Sequence, residues 1–186
     1  LVSTFHGFCT QVLESHVAAM NWHSMPQIFR DEDIRQVVAS AICDSPNLRE
    51  KYLSLDNRGR YLMVSSAIDA ISQIKREVIL DDELDPKVAS LYRREFEYIC
   101  VDEAQDMNKA QYQLLRILTG DEHRNIMLVG DAKQSIYAFN GSSSRYMQKD
   151  FVNDYSPVTI MNLQENYRSA KSILDYARLI IHDAPI

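Results

Sequence analysis

The segment from Tyr98 to Asp106 constrains the fold of this chain more than any other. Its first residues, Tyr-Ile-Cys-Val, run directly into two adjacent carboxylates, Asp102 and Glu103. A short apolar run that ends in acid is typical of a buried parallel strand, and open α/β sheets place their ligand chemistry at the carboxyl ends of such strands. One carboxylate there can hold a hydrated Mg²⁺ while the other polarises a water, as nucleoside triphosphate hydrolysis requires. The alternative is an acidic first turn of a helix, which the helix dipole favours.

A second apolar run, residues 125–129, leads into the loop from Gly130 to Gly141. The loop begins with Gly-Asp, continues through polar residues that include Gln134, and ends with the interleaved aromatics Tyr137 and Phe139. This order suits a loop that lies between a nucleotide and a flat ligand such as a base.

A third β-rich stretch, near residues 158–163, precedes the sequence Asn166-Tyr-Arg-Ser169. We predict a third strand there, followed by a helix from Ser169. An arginine at such a junction is either a surface cation or, if it faces a γ-phosphate, an arginine finger. Arg168 is therefore a candidate site residue.

Helical periodicity dominates the first half of the chain. Thr4 is a candidate N-cap, a helix is predicted to end at the turn 56–59, and Pro86 suits a first helical position after a cap at Asp85. A further helix is predicted from a cap at Asn108 to Thr119. The helices predicted before residue 95 cover 5–20, 31–45, 48–55, 61–80 and a segment from 86. Residues 9–94 thus read as all-helical, whereas residues 96–186 alternate strand and helix. The predicted helix from 169 has Ile173, Leu174, Ala177, Ile180 and Ile181 on its inward face.

Taken in order, three blocks of this sequence resemble motifs II, III and IV of the UvrD/Rep family of superfamily 1 DNA helicases. The family patterns are close to DExQD, GDxxQSIYxFRGA and NYRS, and the matching segments here are 102–106, 130–141 and 166–169. The segment Ser3-Thr-Phe-His-Gly-Phe8 looks like motif Ib. The resemblance is strong over 3–8 and 98–176 and weak between them.

The resemblance implies an α/β fold, namely a partial RecA-like P-loop NTPase motor domain with a parallel sheet and an all-helical insertion. Residues 1–8 and 95–168 would form motor domain 1A, residues 9–94 the helical 1B insertion, and residues 169–186 the start of domain 2A. The implied cofactors are ATP and Mg²⁺.

The resemblance also assigns roles at the nucleotide site. Asp102 is expected to ligate Mg²⁺, and Glu103 to orient or deprotonate the attacking water. Gln134 is expected to sense the γ-phosphate and Arg168 to stabilise charge on it, the alternatives being a plain loop amide and a surface cation. Gln105 and Asp106 either tie the site to neighbouring loops or make hydrogen bonds at a helix start.

The implied partners are single-stranded DNA and duplex junctions. Phe139 is expected to stack on a base, with Tyr137 a weaker candidate, and the alternative is that both aromatics are core residues. Thr4, Phe5 and His6 are expected to face the DNA backbone, with Thr4 equally suited to a helix cap alone.

The sequence departs from the family pattern in three respects. The 186 residues contain no GxxxxGK[ST] phosphate loop, and only 17 residues follow Ser169. We therefore expect a phosphate-loop segment and a second motor domain to be missing from this chain, and the chain alone to be inactive. Asn140 stands where the family has an arginine, which leaves the contact between the nucleotide and DNA sides of that loop in question.

Charge and cysteine content narrow the setting. The formal net charge is −6 and the isoelectric point is near 5.3, so nucleic-acid contacts must be local rather than driven by overall charge. Three widely spaced cysteines fit neither a disulfide framework nor a zinc site, and no apolar run is long enough to span a membrane. A cytoplasmic protein with no membrane partner is predicted, and the resemblance suggests DNA repair.

The sequence therefore predicts a fragment of an ATP-dependent DNA helicase that couples ATP hydrolysis to translocation and unwinding. Two alternatives stay open. One is the helicase subunit of a RecB/AddA-like helicase–nuclease, because Lys133 in the sequence Gly-Asp-x-Lys-Gln resembles that branch of the family. A nuclease domain downstream of this chain would identify it. The other is a non-catalytic remnant that binds DNA or protein, which an intact upstream phosphate loop would exclude.

Overall fold

The computed structural model of the chain describes residues 2–77, 86–120 and 125–182, and within them the chain is mainly helical. The α-helices are α1 Phe5–Ser15, α2 Asp31–Asp44, α3 Pro46–Ser54, α4 Asn57–Glu77, α5 Pro86–Glu95, α6 Lys109–Thr119, α7 Phe151–Asp154 and α8 Lys171–His182. The strands are β1 Ile99–Val101 and β2 Ile126–Leu128. Short 3₁₀ turns cover Ala104–Asp106, Ala132–Gln134 and Ala138–Asn140, and a π-helical turn covers Tyr146–Asp150.

The chain divides into two compact units. The first consists of Leu1–Phe96 and Lys109–Gly120, and the second of Glu97–Asn108 and Asp121–Ile186. The described part of residues 9–94 contains helices and connecting loops without strands, which confirms the all-helical prediction for that stretch. The boundaries of domains 1A, 1B and 2A stay a prediction.

The first unit is built from helices whose apolar faces meet. Phe8 on α1 is buried and packs edge-to-face against Tyr92 and Phe96, with ring centroids 5.5 and 5.8 Å apart. Such aromatic contacts bury large apolar surfaces and fix ring orientation. Arg93 on α5 donates a hydrogen bond to the carbonyl of Ile117 on α6, at 2.8 Å. These contacts connect α1, α5 and α6.

The second unit contains a parallel pair of strands. Ile99 pairs with Ile126 and Val101 with Leu128. The pairing continues past the strands, because the amide of Val129 donates to the carbonyl of Val101 at 2.8 Å and the amide of Ala104 donates to the carbonyl of Val129 at 2.9 Å. The two loops that leave these strands are therefore held side by side at the same edge of the sheet.

The core of the second unit is formed by residues at the end of β1, in the loop after it, and in the helical segment that follows the second loop. Its buried members include Val101, Ala104, Met107, Phe151 and Tyr155. The rings of Phe151 and Tyr155 lie 4.7 Å apart between centroids. The amide of Ser143 donates to the carbonyl of Met107 at 3.0 Å and joins the end of the second loop to the first.

Two helix boundaries in the first unit differ from the predictions. The turn 56–59 was predicted to end a helix, but it begins α4, because the Asp56 carboxylate accepts a hydrogen bond from the amide of Gly59 at 2.7 Å and so acts as an N-cap. The first helix was predicted to reach residue 20 but ends at Ser15. Residues 16–20 continue as turns, and Asn21 has a left-handed φ of 56°. The predicted cap at Asp85 lies outside the described residues.

The third strand predicted near residues 158–163 is wrong for the described structure. This stretch is irregular, and Ile160, Met161 and Leu163 are 72%, 80% and 93% exposed. A strand exists only where a neighbouring backbone accepts and donates its hydrogen bonds, and this segment has no such neighbour among the described residues.

The inward face predicted for the last helix is also wrong in the described structure. Ile173 and Ile180 on α8 are 61% and 63% exposed, although Leu174 and Ala177 are half-buried. Periodicity identified an apolar stripe correctly, but a stripe is buried only when another element packs on it.

In the part of the chain that the structure describes, no helix is both long enough and apolar enough to cross a membrane.

Candidate functional site

The two carboxylates predicted from the sequence follow directly from the carboxyl end of β1, and both side chains are exposed. Glu103 has a left-handed backbone, with φ 50° and ψ 40°, which is uncommon for a residue with a side chain and often occurs at functional sites. The carboxylate of Asp102 accepts the amide of Glu103 through Oδ1 at 2.9 Å. This sharp turn presents two adjacent carboxylates at the edge of the sheet.

Gln105 lies beneath this turn and is 2% exposed. Its Nε2 donates to Oε2 of Glu103 at 2.6 Å, and its Oε1 accepts the amide of Asp131 at 3.1 Å. An ionised carboxylate only accepts hydrogen bonds and a backbone amide only donates them, so the orientation of the Gln105 amide is fixed by its two partners. Gln105 thus joins the loop after β1 to the loop after β2.

Asp131 organises the second loop. Its Oδ1 accepts the amide of Lys133 at 3.0 Å, and its Oδ2 accepts Nε2 of Gln134 at 3.0 Å. The same residue's carbonyl accepts the amide of Gln134 at 2.9 Å. Because Nε2 of Gln134 is engaged by a carboxylate, Oε1 of this side chain is left as an acceptor that faces away from Asp131.

Gly130 allows the two loops to approach closely. A Cβ atom at this position would overlap Oε1 of Gln105 and would lie 3.0 Å from Sδ of Met147 and 3.1 Å from the amide nitrogen of Ala104. A residue without a side chain is therefore required here by space rather than by backbone conformation.

Sequence reasoning did not predict the roles of Gly130 and Asp131, because each depends on a contact between segments that are distant in the chain. The Gly-Asp pair at the end of the second apolar run was the available signal. It marked a loop but not the partner of that loop. For Gln105, the described hydrogen bonds agree with the interpretation that it ties the first loop to its neighbour.

The predicted aromatic pair lies farther along the second loop and is exposed. Tyr137 is 45% and Phe139 78% exposed, and their ring centroids are 6.0 Å apart with a tilt of 52°. Such exposure argues against the alternative that both rings belong to the core. Two accessible ring faces on one loop form a surface on which flat groups can stack.

Arg168 lies on an exposed segment. The side-chain oxygen of Asn166 accepts the amides of Arg168 and Ser169 at 3.0 and 2.8 Å, and the segment is therefore a local turn. Tyr167 donates a hydrogen bond to the carboxylate of Glu165, and this bond raises the pKa of the phenol. Among the described residues, no hydrogen bond or ion pair joins the Arg168 side chain to Glu103 or Gln134.

The predicted backbone-contact residues lie at the start of α1, in the first unit. Oγ1 of Thr4 accepts the amide of Gly7 at 3.1 Å and caps the helix, as predicted. Phe5 is half-buried and His6 is exposed. The structure thus brings Asp102, Glu103 and Gln134 into one connected group, while Thr4, Phe5 and His6 belong to the other compact unit.

The chemistry of Asp102 suits a Mg²⁺ ligand. One of its oxygens holds the amide of Glu103, while its exposed carboxylate has a second oxygen available. Among the described residues, no group of three or more His, Cys, Asp or Glu side chains forms a complete cage. Mg²⁺ typically keeps several waters and uses one or two carboxylates together with substrate phosphates, and the residues present fit that mode.

These elements first define a class. The chain is an α/β protein whose candidate site lies at the carboxyl ends of two parallel strands, with an acidic turn on one and a Gly-Asp loop on the other. Comparison with protein families then narrows this class. The family of the UvrD/REP helicase N-terminal domain matches residues 50–155, more than half of the chain, and the chain belongs to this family. The resemblance predicted from four short motifs is thereby confirmed.

Similar proteins carry consistent names. The chain is 36% identical over 156 residues to the ATP-dependent DNA helicase UvrD1 of Mycobacterium tuberculosis, with 80% of the chain and 20% of the relative covered. It is 38% identical over 122 residues to the ATP-dependent DNA helicase PcrA of Staphylococcus aureus, with 66% and 16% covered. The chain thus spans about a fifth or less of the length of these curated relatives.

Proposed function

We propose that this chain is the segment of an ATP-dependent DNA helicase that carries the hydrolytic carboxylates and part of the DNA-contacting surface. The supporting observation is the hydrogen-bonded series Glu103, Gln105, Asp131 and Gln134, which lies at the carboxyl ends of two parallel strands. Membership of the helicase family and the names of the relatives support the same function. The strands and loops would belong to a partial RecA-like motor domain 1A, the helices of 9–94 to insertion 1B, and residues 169–186 to domain 2A.

In the proposed reaction, ATP is hydrolysed to ADP and phosphate. The exposed carboxylate of Glu103 takes a proton from water as the water oxygen bonds to the γ-phosphorus, and the bond from that phosphorus to the bridging oxygen of ADP breaks. Gln134 uses its Nε2 to donate a hydrogen bond to Asp131, so its Oε1 is available to accept a hydrogen bond from the attacking water. Alternatively, Nε2 of the same side chain contacts the γ-phosphate. Arg168 lies on an exposed turn from which it can stabilise charge on the phosphoryl oxygens.

Asp102 would hold Mg²⁺ in this reaction through its exposed carboxylate. The bound ion neutralises phosphate charge, which lowers the barrier to attack by water. This role for Asp102 predicts that Asp102→Asn weakens magnesium-dependent nucleotide binding. The Asn side-chain oxygen can still accept the amide of Glu103, so the turn should be preserved.

For DNA, the exposed rings of Phe139 and Tyr137 support a stacking surface for bases of a single strand. Stacking on an aromatic side chain contributes about 1–3 kcal/mol per base and tolerates any sequence. The exposed His6, the cap Thr4 and the half-buried Phe5 are proposed to face the DNA backbone. A chain with a net charge of −6 is suited to such local contacts rather than to broad electrostatic binding.

The proposal is tested in the complete protein that contains this segment, by measuring phosphate release with and without single-stranded DNA. We expect ATP hydrolysis that DNA stimulates. The isolated 186-residue chain should show none, because it contains no GxxxxGK[ST] phosphate loop to hold the β-phosphate. A Glu103→Gln preparation serves as the control for contaminating ATPases. DNA binding without ATP hydrolysis in the complete protein would contradict the proposal and favour a non-catalytic remnant.

A further inference from the structure

Gln105 connects the two halves of the candidate site, whereas the motif pattern suggested only that it ties the first loop to an unspecified neighbour. We propose that Gln105 is a positioning residue that couples the Glu103 carboxylate to the loop 131–139, so that contacts made by that loop set the direction of the carboxylate. This inference rests on the proposed function, since it concerns how hydrolysis is controlled.

The geometry of Gln105 makes it suited to transmit a movement. The side chain is 2% exposed, and both ends of its amide are engaged, by Glu103 at 2.6 Å and by the amide of Asp131 at 3.1 Å. Its backbone carbonyl also accepts Oγ of Ser135 at 3.3 Å. Gln105 therefore contacts the loop at two points, and the absence of a Cβ atom on Gly130 leaves the space that its Oε1 occupies.

Glu103 needs such a partner. Its side chain is exposed, so side-chain packing does little to hold the carboxylate in one direction. Among the described hydrogen bonds, the one from Gln105 is the one that its carboxylate accepts. Loss of that bond would leave the base with several rotamers in place of one.

The loop at the other end of Gln105 carries two kinds of contact. Asp131 accepts the side chain of Gln134, the proposed γ-phosphate sensor, at 3.0 Å. Tyr137 and Phe139, the proposed DNA-contacting rings, follow on the same loop. A shift of the loop on binding DNA would move the amide of Asp131 and, through Gln105, the carboxylate of Glu103.

The test uses the complete helicase with two substitutions. Gln105→Glu keeps the size and the acceptor for Asp131 but places a second carboxylate against Glu103. Gln105→Met removes both hydrogen bonds. The matched control is Gln148→Glu, the same chemical change on an exposed side chain of the same compact unit. The measurements are kcat and KM for ATP, with and without single-stranded DNA.

We expect Gln105→Glu to lower kcat about 10- to 100-fold, since a displacement of about 1 Å of a reacting group costs about 100-fold. Two facing carboxylates repel each other, which turns the Glu103 carboxylate out of its position. KM for ATP should change much less than kcat, because Gln105 acts on the base rather than on nucleotide binding. Gln105→Met should lower the DNA-stimulated rate more than the basal rate, and Gln148→Glu should match the wild type.

Three results would overturn the proposal. They are wild-type kinetics in both Gln105 variants, equal losses of basal and stimulated rates in Gln105→Met, or an effect of Gln148→Glu as large as that of Gln105→Glu. The second result would indicate that Gln105 only supports the fold.

A measurement without ATP separates this inference from the proposed function. Hydrogen exchange of the Asp131 amide in the 186-residue chain should be slow in the wild type and faster in Gln105→Met, because that amide donates to Gln105. Rapid exchange in the wild type would overturn the link itself. A complete protein with a protected amide but no DNA-stimulated ATP hydrolysis would instead overturn the proposed function.

Discussion

The second compact unit contains two apolar regions, of which one is partly buried and the other is largely exposed. Residues 99–108 and 125–151 pair two strands, bury Val101 to 8% exposure and join their loops by side-chain hydrogen bonds. Residues 158–182 are equally apolar in pattern, yet Leu163 is 93% exposed and Ile173 61% exposed. The difference shows that an apolar pattern states what a segment is able to bury, whereas burial depends on a partner within reach.

The first region holds its site with polar groups as well as apolar ones. Gln105 is as thoroughly buried as Met107, and its amide has a partner at each end. A buried amide that has all its partners stabilises one arrangement, because losing a partner would leave a polar group desolvated and unpaired. The described residues of the second region include no buried amide of this kind, and most of its large apolar side chains are exposed.

The largest effect is expected from Glu103→Gln, a substitution in the first region that should impair the reaction but not the fold. In the complete protein, Glu103→Gln should reduce ATP turnover by about 10²- to 10⁴-fold while nucleotide still binds, because the change removes the base but keeps the shape. Phosphate release and nucleotide binding by fluorescence check this. Since Glu103 is exposed, the melting temperature of the protein should change little on this substitution. Near-normal turnover would mean that Glu103 is not the base.

Gly130→Ala should disturb the contact between the two loops. The added Cβ overlaps Gln105 and meets Met147, so we expect a loss of about 1–3 kcal/mol in the free energy of unfolding, as overpacking of a tight site usually costs. Urea denaturation of the chain measures it. In a Gln105→Ala background, the same substitution should cost less. An equal cost in both backgrounds would show that the crowding comes from elsewhere.

The next prediction compares two phenylalanines. Phe139→Ala should weaken single-stranded DNA binding by the complete protein by about 1–3 kcal/mol and leave its stability almost unchanged, because the ring is 78% exposed. Phe151→Ala is the control, and since that ring is buried against Tyr155, we expect it to cost about 3–5 kcal/mol of stability. Equilibrium DNA titration and thermal unfolding separate the two. A large loss of stability in Phe139→Ala with unchanged DNA affinity would reverse the assignment.

The smallest expected effect lies in the second region. Leu163→Ser in the 186-residue chain should change the free energy of unfolding by less than about 0.5 kcal/mol, as exposed substitutions usually do. The matched buried site is Val101, where Val101→Ser should cost several times more. If Leu163→Ser is as damaging as Val101→Ser, then residue 163 is buried in solution and the contrast between the two regions is lost.

The sequence predicted the position of several elements from clear local patterns. The strands at 99–101 and 126–128 lie within the predicted runs, and α6 runs to Thr119 with Gly120 at a φ of 59°, as a stop signal requires. The turn at 56–59 was misread because an aspartate followed by Asn-Arg-Gly can end one helix or cap the next. The hydrogen bond from the Gly59 amide to the Asp56 carboxylate shows that this turn caps the next helix, and composition alone does not reveal that bond.

Within the site, the sequence motifs singled out candidate residues but not how they meet. Asp102, Glu103 and Gln134 were identified from their motifs, and the structure connects Glu103 to Gln134 through two further residues. The roles of Asp131 and Gly130 depend on a separation of a few ångströms between loops that are distant along the chain. No periodicity or spacing rule carries that information. The chemical and DNA-contacting roles of all the candidate residues stay predictions.

The parallel pairing of β1 with β2 also has a consequence for the order of folding. Because Val101 pairs with Leu128, the whole of α6 lies in the segment that must close before the strands meet. Helices form from neighbouring residues in about a microsecond or less, whereas contacts between distant residues wait for loop closure. The link from Glu103 to Asp131 therefore belongs to the late events of folding. A newly made chain would acquire its helices before the geometry of its candidate site.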